Sequence, residues 1–463
     1  MPSALRQEPS SFRDPSGFIF THDGTLYRAV HRDYLPHLRL LDSSGLRTAL
    51  TDAGLLIPHE EVAPPCDLPE GFDVVLAPQR VPFISYPYEW CFSQLQEAAL
   101  ATLRIQQLAL DHGLTLKDAT AYNIQFVDGR PVLIDTLSFE PYVKGSPWVA
   151  YRQFCQHFLA PLALMARTHV SLAGLSREHI DGVPLDLAAR LLPWSTRFNF
   201  GLLTHIRLHA RQQRSHGMDA RTAAAAKPPR VSELGLRGIL DSLSSTTRKL
   251  RYQPGGTEWA DYYANTNYSD DAFTAKRDLV SAHIRRVAPT TVWDLGANEG
   301  VFSRLAVAAG AHTVSFDIDP AAVEKNYRRQ RAQKEAGLLP LVLDLTNPSP
   351  ALGWGHRERQ SLAQRGPADL VMALALVHHL AISNNVPLPL IAATFAELGR
   401  HLLIEFVPKS DSQVQHLLTS RKDIFPTYHL DGLKAALVPH FELLAEDPVP
   451  GSERTLLLAR RRA

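Results

Sequence analysis

Five short apolar runs in the second half of the chain limit what it can fold into. They are "TTVWDLG" from Thr290, "HTVSFDID" from His312, "LPLVLDL" from Leu339, "ADLVMALAL" from Ala368 and "RHLLIEFV" from Arg400. They recur at intervals of roughly 20 to 35 residues with helical patterns such as "VFSRLAVAAG" between them. A strand covered on both faces reads as an unbroken apolar run, so this rhythm predicts a parallel sheet wrapped by helices. The chain closes with "HFELLAEDPVPGSERTLLLAR", two runs joined at Pro450 and Gly451. The last strand can then return only antiparallel to its neighbour.

In such a sheet a ligand sits beyond the carboxyl ends of the strands, above the first strand-to-helix turn. Here that turn is "VWDLGANEGVFSRL", with Gly296, Asn298 and Gly300. Glycines at this place let a backbone approach a ligand closely. A dinucleotide pyrophosphate would be repelled by Asp294 and by Glu299 beside the helix start. A cation gains from both. S-adenosylmethionine carries a sulfonium and an ammonium, and Asp294 lies where its amino-acid end would go. Asp317, closing the second run, suits the two ribose hydroxyls. Asp344, closing the third, suits the adenine amino group.

These residues carry a resemblance. Residues 290–460 resemble a class I S-adenosylmethionine-dependent methyltransferase: "DLGANEG" matches the glycine turn, "SFDID" the second-strand acid and "VLDL" the third. The reversed terminal strand fits that fold too. The chain as a whole also resembles relatives of a rhizobial host-specificity nodulation methyltransferase. The resemblance implies S-adenosylmethionine as cofactor.

Methyl transfer from a sulfonium is an in-line displacement, so the protein must chiefly orient the acceptor and remove its proton. The fourth run ends in "ALALVHHLAISNNVPL", which places His378 and His379 just beyond a buried strand. An imidazole with a near-neutral pKa is a suitable base. The Asn/Asp-Pro-Pro-aromatic pattern common in enzymes that methylate exocyclic amines is absent from this stretch. Glu405, at the end of the fifth run, is placed to orient a histidine or bind substrate, with Lys409 and Asp411 as weaker candidates. Ahead of the sheet, "TEWADYYANTNYSDDAFTAK" puts Trp259, Tyr262, Tyr263 and Tyr268 in a polar setting, with Asn267 and Lys276 as its polar members. Such a segment can close over a cofactor and exclude water.

The first half has one stretch with chemistry of its own, "LKDATAYNIQFVDGRPVLIDTLSF". Asp118 and Asn123 have the spacing of a kinase catalytic loop, and Asp135 follows a short hairpin as a metal-binding aspartate does there. The stretch resembles the loop of kinase-like and aminoglycoside-phosphotransferase-like proteins. It departs from them at Lys117, Thr136 and Leu137, and no lysine precedes Lys117. Arg28 or Arg80 would have to replace the phosphate-anchoring lysine, which a planar guanidinium does poorly.

Composition sets the remaining bounds. A net charge of +1 leaves no broad field to gather nucleic acid or anionic lipid. Cys66, Cys91 and Cys155 form no C-x-x-C pair and read as buried thiols. His205 and His209 sit one helical turn apart without a third ligand, so a solvated face is expected and no metal site is placed. The start of the chain has no apolar signal region, which predicts a cytoplasmic protein. Apolar periodicity stops over 217–232, read as a linker. The expected fold class is α/β: a Rossmann-like seven-stranded methyltransferase sheet over 233–463, preceded by an α+β domain over 1–216 that bears the kinase-like loop. The expected function is methyl transfer from S-adenosylmethionine to a small-molecule or carrier-bound acceptor. A nucleic-acid or protein methyltransferase is the second reading, and a bifunctional protein with a nucleotide-binding amino-terminal domain the third.

Overall fold

The structure is a computed structural model that describes residues 5–208, 230–255, 270–419 and 422–462. It divides into two compact units, Met1–Gln253 with Gly353–Glu358, and Pro254–Leu352 with Arg359–Ala463. Among the described residues, no helix is long and apolar enough to cross a membrane.

The first unit opens on an antiparallel sheet in the order β1-β2-β3-β5-β4, built from Arg6–Gln7, Gly17–His22, Thr25–His31, His59–Val62 and Phe72–Pro78 as β1 to β5. Asp23 and Gly24, at φ 48° and 77°, make the tight turn joining β2 to β3. Two positive φ values in a row suit the right-handed twist of the flanking strands. After the helix Phe92–Asp111 come two ribbons. β6 (Leu114–Leu116) pairs with β9 (Phe139–Pro141), and β7 (Ile124–Val127) pairs with β8 (Arg130–Leu133). Cys91 and Cys155 are buried and Cys66 is half-buried.

The boundary between units differs from the one expected from composition. The helix Glu233–Lys249 belongs to the first unit, burying Leu236, Leu240 and Leu243. Gln96 donates to the carbonyls of Thr247 and Leu250 at 2.8 and 3.0 Å, and Arg237 meets Asp111 at 2.7 Å. Loss of periodicity marks a break, but it does not say on which side the next amphipathic helix docks. Most of the expected linker, and His209, lie outside the described residues. His205 is buried rather than solvated, with Tyr151 Oη 2.7 Å from its Nδ1 and Ser242 Oγ 2.9 Å from its Nε2.

The second unit is built on a sheet in the order β12-β11-β10-β13-β14-β16-β15. β10 is Thr291–Leu295, β11 His312–Asp317, β12 Leu338–Val342, β13 Ala368–Ala373, β14 Gly399–Phe406, β15 Phe441–Pro448 and β16 Thr455–Arg461. The first five pair in parallel, and β16 runs antiparallel to both β14 and β15. This is a Rossmann-like arrangement with a reversed last strand, as the apolar runs led us to expect. Val292, Leu370, Met372, Leu403, Leu456 and Leu458 fill the core between the sheet and the helix Asp270–Val287, which adds Val280 and Ile284. Strand order reverses at β10, which lies between β11 and β13. The crevice of the fold therefore opens above the carboxyl end of β10.

Candidate active site

β10 ends at Leu295, and the chain turns at once toward the helix Ser303–Ala308. Three turn residues take positive φ: Gly296 at 76°, Asn298 at 50° and Gly300 at 74°. Gly296 N and Ala297 N both donate to Phe316 O at 2.9 Å, and Asn298 N donates to Asp317 Oδ2 at 2.7 Å, so the turn is pinned on β11. A Cβ on Gly300 would stand 2.6 Å from Asn326 Nδ2 and 2.9 Å from Arg304 Nη1. The close approach at this glycine is thus to the protein's own side chains. Gly300→Ala is expected to lower stability by roughly 1–2 kcal/mol from backbone strain alone, with more from displacing Arg304. Its urea midpoint checks this; an unchanged midpoint would mean that another residue fits the turn.

Asp294 and Asp317 stand at the carboxyl ends of neighbouring strands, and both are buried. Ser303 Oγ donates to Asp294 Oδ2 at 2.6 Å, and Asp319 N donates to Asp317 Oδ1 at 2.8 Å. Burial pushes the Asp294 carboxyl up to about 7 and the Asp317 carboxyl up to about 6. Burial outweighs the Ser303 hydrogen bond and the nearby Lys276 charge at Asp294 and the backbone N–H donors at Asp317, and a ligand bringing a cation or hydroxyl donors would offset that burial. Asp344 lies two residues beyond β12 and is half-buried, its Oδ1 accepting from Thr346 N at 2.8 Å and Thr346 Oγ1 at 2.6 Å.

Past β13, Ala375 takes a φ of 51° and a π-helical turn spans His379–Ser383. Both conformations occur often at functional sites, where surrounding structure holds them. His378 is 2% exposed, and its Nδ1 has no hydrogen-bond partner. The His378 and His379 rings lie 4.0 Å apart between centroids. Burial, followed by the positive neighbours His379, Arg454 and Lys276, holds His378 well below the usual imidazole range, and burial takes His379 to about 4. The near-neutral value expected from sequence is corrected, because the segment after β13 folds inward.

Glu405 is fully buried and held by two cations. Lys276 Nζ donates to its Oε2 at 2.6 Å, and Arg454 Nη1 lies 3.8 Å from its Oε1. Arg454 Nε donates to Asp411 Oδ2 at 2.8 Å, and Lys276 Nζ sits 4.7 Å from the centre of the Phe302 ring. Lys276 is therefore part of the packed interior. Its companions in the expected lid, Trp259, Tyr262, Tyr263, Asn267 and Tyr268, lie outside the described residues. Lys409 is turned to Asp423 at 2.7 Å. Sequence reading missed Arg454, whose one signal is a charge set directly against the apolar run of β16, and Ser303, hidden in an amphipathic pattern.

In the first unit the ribbons bring the kinase-like positions together. Asn123 Nδ2 donates to Ser138 Oγ at 3.3 Å, and Ser138 Oγ donates to Asp135 Oδ2. Asp135 Oδ1 accepts from Arg28 and, at 3.1 Å, from Leu137 N. Burial alone would raise the Asp135 pKa, but the Arg28 charge and these hydrogen bonds hold it below the ordinary value. Asp118 Oδ1 accepts from Gln153 Nε2 at 2.7 Å and from Thr120 N at 3.0 Å. Lys117 Nζ donates to Ser16 Oγ at 3.1 Å.

No family model matches the chain. It is 36% identical to nodulation protein NoeA of Rhizobium meliloti (strain 1021) over 456 residues, which cover 97% of this chain and 95% of that protein. The chain belongs to the NoeA family. Among solved structures, it is similar to magnesium protoporphyrin IX methyltransferase of Synechocystis PCC 6803 with bound SAH, at 17% identity and a TM-score of 0.31, covering 43% of this chain and 91% of that one. It is also similar to the N-methyltransferase NodS of Bradyrhizobium japonicum WM9, at 9% identity and a TM-score of 0.31, covering 42% of this chain and 99% of that one. The second unit thus carries two buried acids, a buried imidazole and a cluster of four charges in which Lys276, Glu405 and Arg454 are buried and Asp411 is half-buried.

Proposed function

We propose that the second unit transfers a methyl group from S-adenosylmethionine to a small or carrier-bound acceptor, and that His378 helps remove the acceptor's proton. The observation that carries this reading is the pair of buried strand-end acids, Asp294 and Asp317, at the switch point of the sheet, whose burial raises their pKa values. Asp294 would take the ammonium end of the cofactor, Asp317 the ribose hydroxyls and Asp344 the adenine amino group, with Gly296, Asn298 and Gly300 shaping the turn beneath. When bound, the cofactor supplies an electrophilic methyl on a sulfonium. The chain's own residues orient, exclude water and manage a proton. Neutral His378 offers Nδ1 to the acceptor, and Lys276 and Arg454 hold Glu405 in the interior of the same unit.

Calorimetry on the full chain tests this. S-adenosylmethionine should bind and should lose binding in Asp294→Ala and Asp317→Ala. Because a protonated Asp294 cannot pair with an ammonium, affinity should also fall below about pH 7, approaching tenfold per pH unit. Folded variants that bind as wild type would refute the assignment.

The first unit supports a second reading, a kinase-like module that does not transfer phosphate. Arg28, Leu137 N and Ser138 already occupy both oxygens of Asp135, the carboxylate that magnesium would need. Magnesium ATP should leave the melting temperature of the full chain unchanged. A magnesium-dependent rise that disappears in Asp135→Asn would overturn this reading.

A further inference from the structure

An exposed aromatic surface lies on the first unit, in the stretch that follows the helix Leu185–Leu191. The chain there makes a 3-10 turn over Trp194–Phe198 and a short helix over Phe200–Leu202. Its inward side is fixed. Leu192, Thr196, Leu202 and Ile206 are buried, and Arg207 donates to the carbonyls of Ala189, Leu192 and Pro193 at 3.0, 3.1 and 3.1 Å and to Thr196 Oγ1 at 2.9 Å. A Cβ on Gly201 would stand 1.9 Å from Thr246 Oγ1, so the backbone at that point lies directly on the helix Glu233–Lys249.

The outward side is apolar where a surface is normally polar. Phe198 and Phe200 are each 77% exposed and Trp194 is 63% exposed, and the Trp194 and Phe198 rings meet edge to face with centroids 5.1 Å apart. Apolar side chains scattered singly over a surface need no explanation; three aromatic rings between positions 194 and 200 of a well-anchored segment do. The charges that accompany them are basic. No Asp or Glu occurs between positions 187 and 208, Arg190 and Arg197 are exposed, and the Arg197 guanidinium lies 6.0 Å from the centre of the Trp194 ring.

These features select among partners. A second copy on a two-fold axis would set this surface against itself, bringing Arg190 and Arg197 toward their own counterparts with no acid in the segment to offset them. Rings that stand about three-quarters clear of the protein would each need a pocket of matching shape in a protein partner. The headgroup layer of a bilayer imposes no such match, accepts tryptophan and phenylalanine at its apolar boundary, and attracts arginine where its lipids are anionic. We propose that Trp194, Phe198 and Phe200, with Arg190 and Arg197, form a docking surface for an anionic lipid bilayer. The contact is peripheral, since no described helix can cross a membrane. A net charge of +1 gives the whole chain no long-range attraction to such a bilayer, so binding depends on this surface.

Co-sedimentation of the full chain with vesicles tests this. At low ionic strength it should bind phosphatidylcholine vesicles that contain phosphatidylglycerol at least about tenfold more tightly than vesicles of phosphatidylcholine alone. Arg190→Gln and Arg197→Gln should each weaken binding by about fivefold. The double variant Trp194→Ser, Phe198→Ser should weaken it by at least about tenfold, with an unchanged melting temperature because both side chains are exposed. Vesicles brominated near the glycerol end of the acyl chains should quench part of the tryptophan fluorescence, and Trp194→Phe, which keeps a ring and should still bind, should lose that quenching. Absence of sedimentation, sedimentation unaffected by the serine pair, or quenching that persists in Trp194→Phe overturns the proposal. A concentration-dependent dimer in light scattering that the serine pair abolishes, without vesicle binding, overturns it in favour of a second copy of the chain.

Discussion

Asp294→Asn is expected to abolish useful binding of S-adenosylmethionine and, at pH 8, to make the ligand-free protein more stable than wild type. Both effects come from one carboxyl. Burial raises its pKa to about 7, against about 3.9 in an unfolded chain. A group whose folded pKa is raised contributes stability that is complete below the unfolded value and is lost as pH rises through the folded one. At pH 8 the ionised Asp294 therefore opposes folding by on the order of a few kcal/mol until a cation joins it. Asparagine keeps the shape and an acceptor for Ser303 Oγ but carries no charge to desolvate. Its melting temperature should exceed that of wild type by several degrees at pH 8, at about 2–4 °C per kcal/mol, and the gap should close toward pH 4. Losing the charge-assisted bond to the ammonium should weaken cofactor binding by about 100-fold. Scanning calorimetry at the two pH values, with titration calorimetry alongside, checks both halves. A variant that binds normally, or that is destabilised at pH 8, would show that Asp294 is a structural acid.

The sequence made some of this site legible because some of its determinants are local. A strand buried on both faces must be apolar throughout, so the runs ending at Leu295, Asp317 and Ala373 could be read directly, and with them which acids stand at the sheet edge. The turn residues Gly296 and Gly300 announced themselves by type, although only the structure shows Asn326 and Arg304 filling the space a Cβ at Gly300 would need. What was not legible is pairing at a distance. Lys276 lies 129 positions from Glu405, and a charged residue in a helical pattern reads as exposed unless its partner is known. Arg454 was hidden for the same reason. The low pKa of His378 comes first from the burial that the inward fold after β13 imposes and then from His379, Arg454 and Lys276, so the residue was legible but its chemistry was not. In the first unit, Asp118, Asn123 and Asp135 were found by spacing. That Arg28 rather than Arg80 meets Asp135 follows from the β2–β3 hairpin and its pairing with β5.

His378→Gln should reduce turnover on an accepted substrate by about 100-fold or more, the scale of a lost proton acceptor, while affinity for S-adenosylmethionine stays within about twofold. Glutamine can still hydrogen-bond the acceptor but cannot take its proton, so the loss should fall on kcat rather than KM. The pH profile separates this role from packing. Because burial and the neighbouring cations hold His378 well below the usual imidazole range, the wild-type kcat, measured with S-adenosylmethionine kept saturating at every pH so that protonation of Asp294 does not enter, should show no acid limb near pH 6.5. The limb should appear only at clearly lower pH, and the variant should lack it. His379→Gln should have a smaller effect, since its ring is the less buried of the two and its nitrogens are not the unsatisfied ones. If His378→Gln turns over near the wild-type rate with the same profile, the imidazole is packing, positioning alone carries the reaction, and an acceptor that needs no proton removed becomes the better fit to the site.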